Sequence, residues 1–491
     1  MANPTIGMDQ PRQMLAEIIP PKVLPKSLSR FDLVTIYFAL IFGSYGASQM
    51  ATGGWAAIPM LVLATIGFMI PTILASWELG TLFPGEGGIY IWAHKTMGPI
   101  HGFIAGWLSW MAVFLLLPLV STAIVAHLAF IFDVEFDVTT TLFIQIAAVW
   151  LITALSLARI TLSQGYVRVV FFVALGTAIV AFVAGLLMQG GSGPAQPITS
   201  DITTLDLGTY GWLFSAAVLW LLGVEIPFNM GAEFASPKRG IRDMLILGTV
   251  ALLVGYVLGI VGILWTTPAD QVSGVTGIAG AAATIAPIIG SLVALGIVLA
   301  VASQGVAYQN TYSRLLFVSG VEHRLPRVFA HISPRSKSPV PALLLQAVIA
   351  SVVIIIFFSQ ASLAAVLNIY LAGLVGVWSL SLFYLYTGIV SARRHPSWYA
   401  ARGDEVWKIP GGTIGVGAVA VVGVIFTCLS IYFVFALPWT SDIGSDQWVL
   451  YMGGLMGAFV LSGVIVWLLG LRNAEGASAE ADLAEYAVNE N

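Results

Sequence analysis

Gly43-Ser44-Tyr45-Gly46-Ala47-Ser48, followed by Gly53-Gly54, interrupts the first long apolar run of the chain, and Gly223-Val224-Glu225-Ile226-Pro227 interrupts the sixth. Glycine loosens a helix, and proline removes a backbone donor and clashes with the preceding turn. Lipid offers no partner to backbone groups freed in this way. A break at mid-membrane depth is therefore expected only where it lines a cavity or a binding site. Glycine also serves close helix packing, so either segment alone leaves that plainer reading open. Their matching positions favour a site.

The membrane context comes from the rest of the chain. Of its 491 residues, 58% are hydrophobic and 9% charged, against about 25% charged in a soluble protein. Apolar runs recur at 31–55, 57–83, 100–132, 139–158, 165–188, 209–235, 241–265, 284–317, 341–359, 361–391, 413–437 and 447–471. Most reach the roughly 20 residues that a spanning helix needs. These positions predict an all-α polytopic membrane protein with twelve transmembrane helices.

Charge orients the helices. All 20 Lys and Arg fall in alternate connections: Arg12 to Arg30, Lys95, Arg159 with Arg168, Lys238 to Arg242, Arg314 to Lys337, Arg393 to Lys408, and Arg472. The opposite connections hold Asp133, Glu135, Asp137, Asp201, Asp206, Asp270, Asp442 and Asp446, and no cation. Short cytoplasmic loops collect Lys and Arg, so a multi-pass protein of the plasma membrane with both termini cytoplasmic is expected.

An odd number of spans per repeat inverts the second copy. Residues 31–471 then read as one transporter domain, with repeat one at about 31–188, repeat two at about 209–391, and two added helices at about 413–471. Residues 1–30 form a cytoplasmic amino-terminal segment and 472–491 an acidic cytoplasmic tail. Pro84–Met97 is expected to lie along the inner surface as an amphipathic piece. The lone Cys428 excludes an internal disulfide and reads as a buried apolar filler. There is no phosphate-binding G-x-x-x-x-G-K-[ST] run, nucleophile motif or metal-ligand cluster. The chain is accordingly not expected to be an enzyme, to carry a metal or cofactor, or to bind nucleic acid.

Trp77–Trp110 (WELGTLFPGEGGIYIWAHKTMGPIHGFIAGWLSW), Gly223-Val224-Glu225, Glu233–Arg239 (EFASPKR), Ser313–Phe317 with Leu325-Pro326, and Ser338–Ala342 occur in that order over most of residues 31–412. Together they resemble the amino acid–polyamine–organocation (APC) superfamily, in particular the glutamate/GABA antiporter and the wider bacterial amino acid permeases. The resemblance implies a leucine-transporter-type fold and alternating access. It implies a permease for an amino acid or related amine, working by proton-coupled symport or as an antiporter. A transport-inactive receptor or scaffold of the same fold is the alternative. Three departures stand out. Gly176-Thr177 lies where some relatives carry a sodium-replacing Lys. Tyr45 replaces the second Gly of the family's G-S-G. The tail is acidic where the acid-resistance antiporter has a basic plug.

Family guidance also distributes the roles. The Gly43, Ser44, Tyr45, Gly46 and Ala47 backbone, with the Ser44 hydroxyl, would take a carboxylate at a positive half-helix end. Carbonyls at Leu222, Gly223 and Val224 would take an ammonium. Glu225, at mid-membrane, is costly unless paired or protonated, so it is the residue expected to carry the coupling proton, with bracing of the unwound turn as the rival role. Tyr308 lies where the arginine/agmatine antiporter has a substrate-stacking aromatic, and Trp220 is one turn before Glu225. Ser303 and Gln304 lie near the hydroxyl ligands of sodium-coupled relatives, where Gln is a poor match. Glu78 and Glu233 are expected to pair with Lys95, Arg239 or Arg314, either to gate the inner side or as interfacial pairs that fix loop geometry. His127 reads as structural.

Overall fold

The computed structural model describes residues 13–158, 160–203, 205–358 and 363–474. Arg12, Arg159 and the acidic tail beyond Ala474 lie outside them. No strand occurs among the described residues, only isolated bridges between Leu28 and Phe234 and between Glu86 and Met230. Among the described residues, ten helices are long and apolar enough to cross a membrane, and two shorter apolar ones, Leu207–Leu219 and Val340–Ile356, stand sixth and ninth in order.

Burial sorts the helices by position. In Arg30–Ala51, 94% of the most apolar window is buried, and in Leu367–Ala392, 78%. In Val138–Leu157 and Ser445–Leu471 the figures are 22% and 17%. The first and tenth spans thus sit centrally, and the fourth and twelfth form the rim. Phe143, Leu151, Leu450 and Leu469 are exposed on that rim, an apolar belt suited to lipid and too large for water. Cys428 is exposed as well, which corrects the expectation of a buried filler. Its helix, Gly412–Ala436, is apolar all round, so periodicity could not assign its inward face.

The two interruptions are real breaks of different form. Ser29 and Asp32 cap Arg30–Ile41 reciprocally, and the helix stops at Phe42. Gly43 is extended (φ −98°, ψ 116°), and the chain restarts as Ser44–Ala51. Leu207–Leu219 stops at Trp220. Beyond Gly223 (φ +113°) no α-helix resumes, only 3₁₀ turns at Ile226–Asn229 and Gly231–Glu233. The reason lies in the partners of this segment. Gly87 N–H donates to Asn229 O at 3.0 Å, Leu28 N–H to Glu233 O at 3.1 Å and Ala235 N–H to Leu28 O at 3.0 Å. Connections from elsewhere take hydrogen bonds that a helix would have used.

The cation-bearing connections meet one another. Arg30 pairs with Asp243, Arg168 with Asp32, Lys95 with Glu17 and Arg393 with Glu78. The acidic connections meet in the same way, through Trp55 Nε1 to Gln196 O (3.3 Å) and Gln196 Nε2 to Thr267 O (2.7 Å). The helix Gly277–Ala283, which the sequence reading lacks, packs beside the first break, and Ile278 N–H donates to Ser48 Oγ at 3.2 Å. Ile89–Met97 corrects another expectation. Ile89 to Ala93 are all buried, so the segment is packed into the protein and does not lie along a surface.

Small residues set the helix spacing. A Cβ on Gly211 would stand 2.2 Å from the Phe433 ring, whereas one on Gly417 would meet nothing within 4 Å. Overpacking of this kind costs about 1–3 kcal/mol. Gly211→Ala should therefore lower the unfolding temperature of the purified protein in detergent, and Gly417→Ala should not.

Candidate functional site

The two breaks lie side by side. A Cβ on Gly223 would come 3.3 Å from Ile41 Cγ1, and Cβ atoms on Gly43 and Gly46 would come 2.8 and 2.5 Å from the Trp220 indole. Glycine at these positions lets one break nest against the other. Tyrosines hold the first break open. Tyr256 OH donates to Ile41 O at 2.7 Å and accepts from Gly43 N–H at 3.2 Å, and Tyr308 OH donates to Leu40 O at 2.9 Å. Tyr308, expected to stack on substrate, braces the end of the first half-helix.

What remains unpaired is informative. At the start of Ser44–Ala51, Gly46 N–H donates to Gly43 O at 2.8 Å, while the Ser44 and Tyr45 amides have no backbone acceptor. Ser44 Oγ is buried without a hydrogen bond. In the second break, Gly223 O accepts from Ile226 N–H at 3.2 Å, and the Leu222 and Val224 carbonyls accept from no backbone donor. Unpaired donors of the first break and unpaired acceptors of the second thus lie on neighbouring stretches of chain.

Aromatic side chains cluster beside the breaks. Tyr45 stands edge-on to Trp220 with centroids 4.8 Å apart, and Trp220 Nε1 donates to Gln49 Oε1 at 2.6 Å. Tyr308, Tyr312 and Trp378 follow at centroid spacings of 6.1 and 6.0 Å. Trp378 Nε1 donates to Glu225 Oε1 at 2.7 Å, and Glu225 Oε2 is buried without a hydrogen bond. Tyr256, Tyr312 and Trp378 escaped the sequence reading, because an aromatic in an apolar run carries no local mark of which way it faces. Tyr45 OH approaches Gln304 Oε1 at 3.4 Å, and Ser303 Oγ is buried without a partner. Ala47 is buried with them.

The expected inner acids divide into two groups. Glu78 accepts from Arg393 Nη2 at 2.7 Å, Tyr399 OH at 2.7 Å and Ile409 N–H at 2.6 Å. Its partners therefore come from the connection 393–410, and not from Lys95, Arg239 or Arg314. Trp77 stacks on Trp407 of the same connection, with centroids 4.3 Å apart. Glu78 fastens this connection to the second span. Glu233 does pair with Arg314, through Nε at 3.0 Å. A third acid, Glu86, joins them, with Oε1 3.5 Å from Arg314 Nε and Oε2 accepting from Ala232 N–H at 3.1 Å. It is the lone acid of the Pro84–Met97 segment, which is the signal that could have found it. His127 is buried, with Nδ1 2.7 Å from Ala123 O and Nε2 without a hydrogen bond.

A chain of apolar spans around paired helix breaks is the build of a multi-pass membrane transporter. The comparisons agree with that class. Solved structures with the same fold include a manganese transporter of Eremococcus coleocola (13% identity, TM-score 0.57, covering 92% of this chain and 95% of that one). Another is MhsT in complex with L-phenylalanine (14% identity, TM-score 0.56, covering 90% and 99%). An uncharacterized transporter of Legionella pneumophila is 26% identical over 93% of this chain and 99% of its own length. A probable agmatine/putrescine antiporter of Lactococcus lactis is 24% identical over 52% and 54%. A probable polyamine transporter of Arabidopsis thaliana is 23% identical over 82% and 82%. The amino acid permease family model matches residues 28–460. The chain belongs to the amino acid permease family of the APC superfamily. It is a transporter, not an enzyme, and its family implies a small-molecule substrate.

Gly223 carries a local prediction. Its φ of +113° strains any L side chain, at about 1–3 kcal/mol for such backbone outliers. Gly223→Ala should lower the unfolding temperature and abolish ligand-induced stabilisation, both read by thermal shift.

Proposed function

We propose that this protein carries an amino acid or related amine across the plasma membrane by alternating access, as a proton-coupled symporter or an exchanger. The observation that carries this reading is the pair of adjacent breaks. The Ser44 and Tyr45 amides and the Leu222 and Val224 carbonyls replace the water that a bare zwitterion would lose. The substrate carboxylate sits at the Gly43–Ala47 turn with the Ser44 hydroxyl. The ammonium sits at the second break, and Tyr45, Trp220 and Tyr308 form the walls. Two of the relatives are named as probable transporters of amines, which favours including diamines among the candidates.

Glu225 is the coupling residue in this reading. One of its oxygens is held by Trp378 and the other is unpartnered. A lone carboxylate at that depth costs several kcal/mol, and a proton removes the cost. Protonated, Glu225 can donate to a carbonyl freed by the second break. Deprotonated, it needs water or a substrate ammonium.

Twelve spans in a five-plus-five inverted repeat, with the cation-bearing end and both termini cytoplasmic, complete the proposal. One regularity supports the repeat beyond the breaks themselves. The second and seventh spans each contain one wide π turn, at Thr65–Met69 and Met244–Gly248. These lie 179 residues apart (65 to 244), and Gly43 and Gly223 lie 180 apart (43 to 223).

Reconstitution tests the reading. Proteoliposomes holding the purified chain should take up one member of a panel of amino acids, agmatine and putrescine, driven by a proton gradient or by internal substrate. No uptake or exchange above empty vesicles across the panel would reject it. Glu225→Gln should abolish gradient-driven accumulation and its pH dependence while leaving exchange of internal for external substrate. Unaltered pH dependence in the folded variant would remove Glu225 from the coupling role.

A further inference from the structure

Glu86, Glu233 and Arg314 are fully buried together at the cation-bearing end. Two carboxylates against one guanidinium leave one negative charge uncompensated, far from water. Arg314 is committed mainly to Glu233, with Nε at 3.0 Å, and reaches Glu86 only at 3.5 Å. Both carboxyls lie against the same guanidinium, Glu86 Oε1 at 3.5 Å from Nε and Glu233 Oε1 at 2.9 Å from Nη2. Glu86 Oε1 and Glu233 Oε2 are buried without a hydrogen bond. A proton on one carboxyl would supply the donor that these oxygens lack. The guanidinium beside the carboxyls disfavours a metal ion, and no group of three possible metal ligands occurs among the described residues.

The backbone around the cluster explains why it matters. Glu86 sits in the connection between the second and third spans, bridged to Met230. Its Oε2 holds Ala232 N–H. Leu28 lies between Glu233 and Ala235. The cluster therefore staples the segment after the second break to the 84–88 connection and to the eighth span. An opening at this end must separate these elements and hydrate the carboxyls.

We propose that Glu86 and Glu233 form a second proton site. The pair holds one proton while the cytoplasmic end is closed and releases it to the cytoplasm when that end opens. The cytoplasmic opening rests on the alternating-access reading, but the proton site does not involve Glu225 or the substrate. Glu86 is the carrier. Burial, then the facing Glu233, pushes its carboxyl well above the usual range, against the lowering by Arg314 and Ala232 N–H. The sign follows. The closed form holds its proton more tightly than a hydrated form, so closure is favoured at acid pH. That preference is lost as pH rises through the closed-state value. The other charges of this end are engaged elsewhere: Glu17 pairs with Lys95, while Glu322 accepts from Ala16 N–H and lies with Arg324.

Hydrogen–deuterium exchange of the full chain in detergent, corrected for the intrinsic pH dependence of exchange, tests the proposal without any substrate. Segments 84–92 and 226–236 should exchange about tenfold or more faster in alkaline than in acid buffer, the change that one pKa unit of preference between closed and open forms produces. Glu86→Gln places a permanent neutral donor against Glu233 and should hold both segments protected at either pH. Glu233→Gln leaves Glu86 alone with Arg314 and should flatten the dependence too. Glu225→Gln should retain the wild-type dependence in these segments, which separates this result from failure of the transport reading. A wild type whose protection ignores pH, or a folded Glu86→Gln that keeps the wild-type response, overturns the proposal. So does failure of both amide variants to fold, because the neutral pair is then not the closed form.

Discussion

A backbone amide or carbonyl inside a bilayer must find a partner, since leaving it bare costs several kcal/mol. The rest of this structure depends on how that demand is met at two breaks. At the first, Tyr256 satisfies both sides, accepting from Gly43 and donating to Ile41, and Tyr308 satisfies Leu40. At the second, Gly223 adopts a conformation that only glycine takes easily, and its carbonyl turns back to Ile226. The Ser44 and Tyr45 amides and the Leu222 and Val224 carbonyls, beside these satisfied groups, remain without a backbone partner.

The same economy governs charge. Lys and Arg are confined to one end, and most of the carboxylates that meet them come from that end too. Glu78 is fully satisfied, by a guanidinium, a phenol and an amide. Such a carboxylate serves as a fastener. Glu225 and Glu86 differ, because each keeps a buried oxygen without a hydrogen bond. Two buried acids that each leave one oxygen without a hydrogen bond are a poor design for stability. They make sense where the closed and open forms are meant to differ in protonation.

Much of this was legible in the sequence, for identifiable reasons. The all-helical, multi-span build follows from bilayer thickness, which acts through composition alone. The breaks at Gly43 and Gly223 were legible because glycine and proline act locally. Glu225 was legible because a mid-span acid is expensive wherever it points. The partners were not. Trp378 and Tyr256 are unremarkable in apolar runs, and only the crossing of spans one, six, seven and ten brings them to the breaks. Glu78 was recognised as an inner acid but assigned the wrong cations, since Arg393 lies 315 residues away. The α-helix expected after Pro227 is a pair of 3₁₀ turns, because hydrogen bonds from Gly87 and Leu28 compete with helix formation and neither is visible in the local pattern.

Glu86 shows where local reading stops. Its run, Pro84-Gly85-Glu86-Gly87-Gly88, looks like a flexible turn with a solvated acid. Glycine serves a different end there. Gly87 and Gly88 have positive φ, and a Cβ on Gly88 would stand 2.8 Å from Asn229 Oδ1 and 3.1 Å from its backbone nitrogen. A Cβ on Gly231 would stand 2.2 Å from Gly85 O. These glycines let two backbones approach until they hydrogen-bond directly, and that approach carries Glu86 down beside Glu233 and Arg314. The acid is buried because its neighbours lack side chains. A glycine-rich turn between two membrane spans is thus as good a place to look for a hidden carboxylate as the middle of a span.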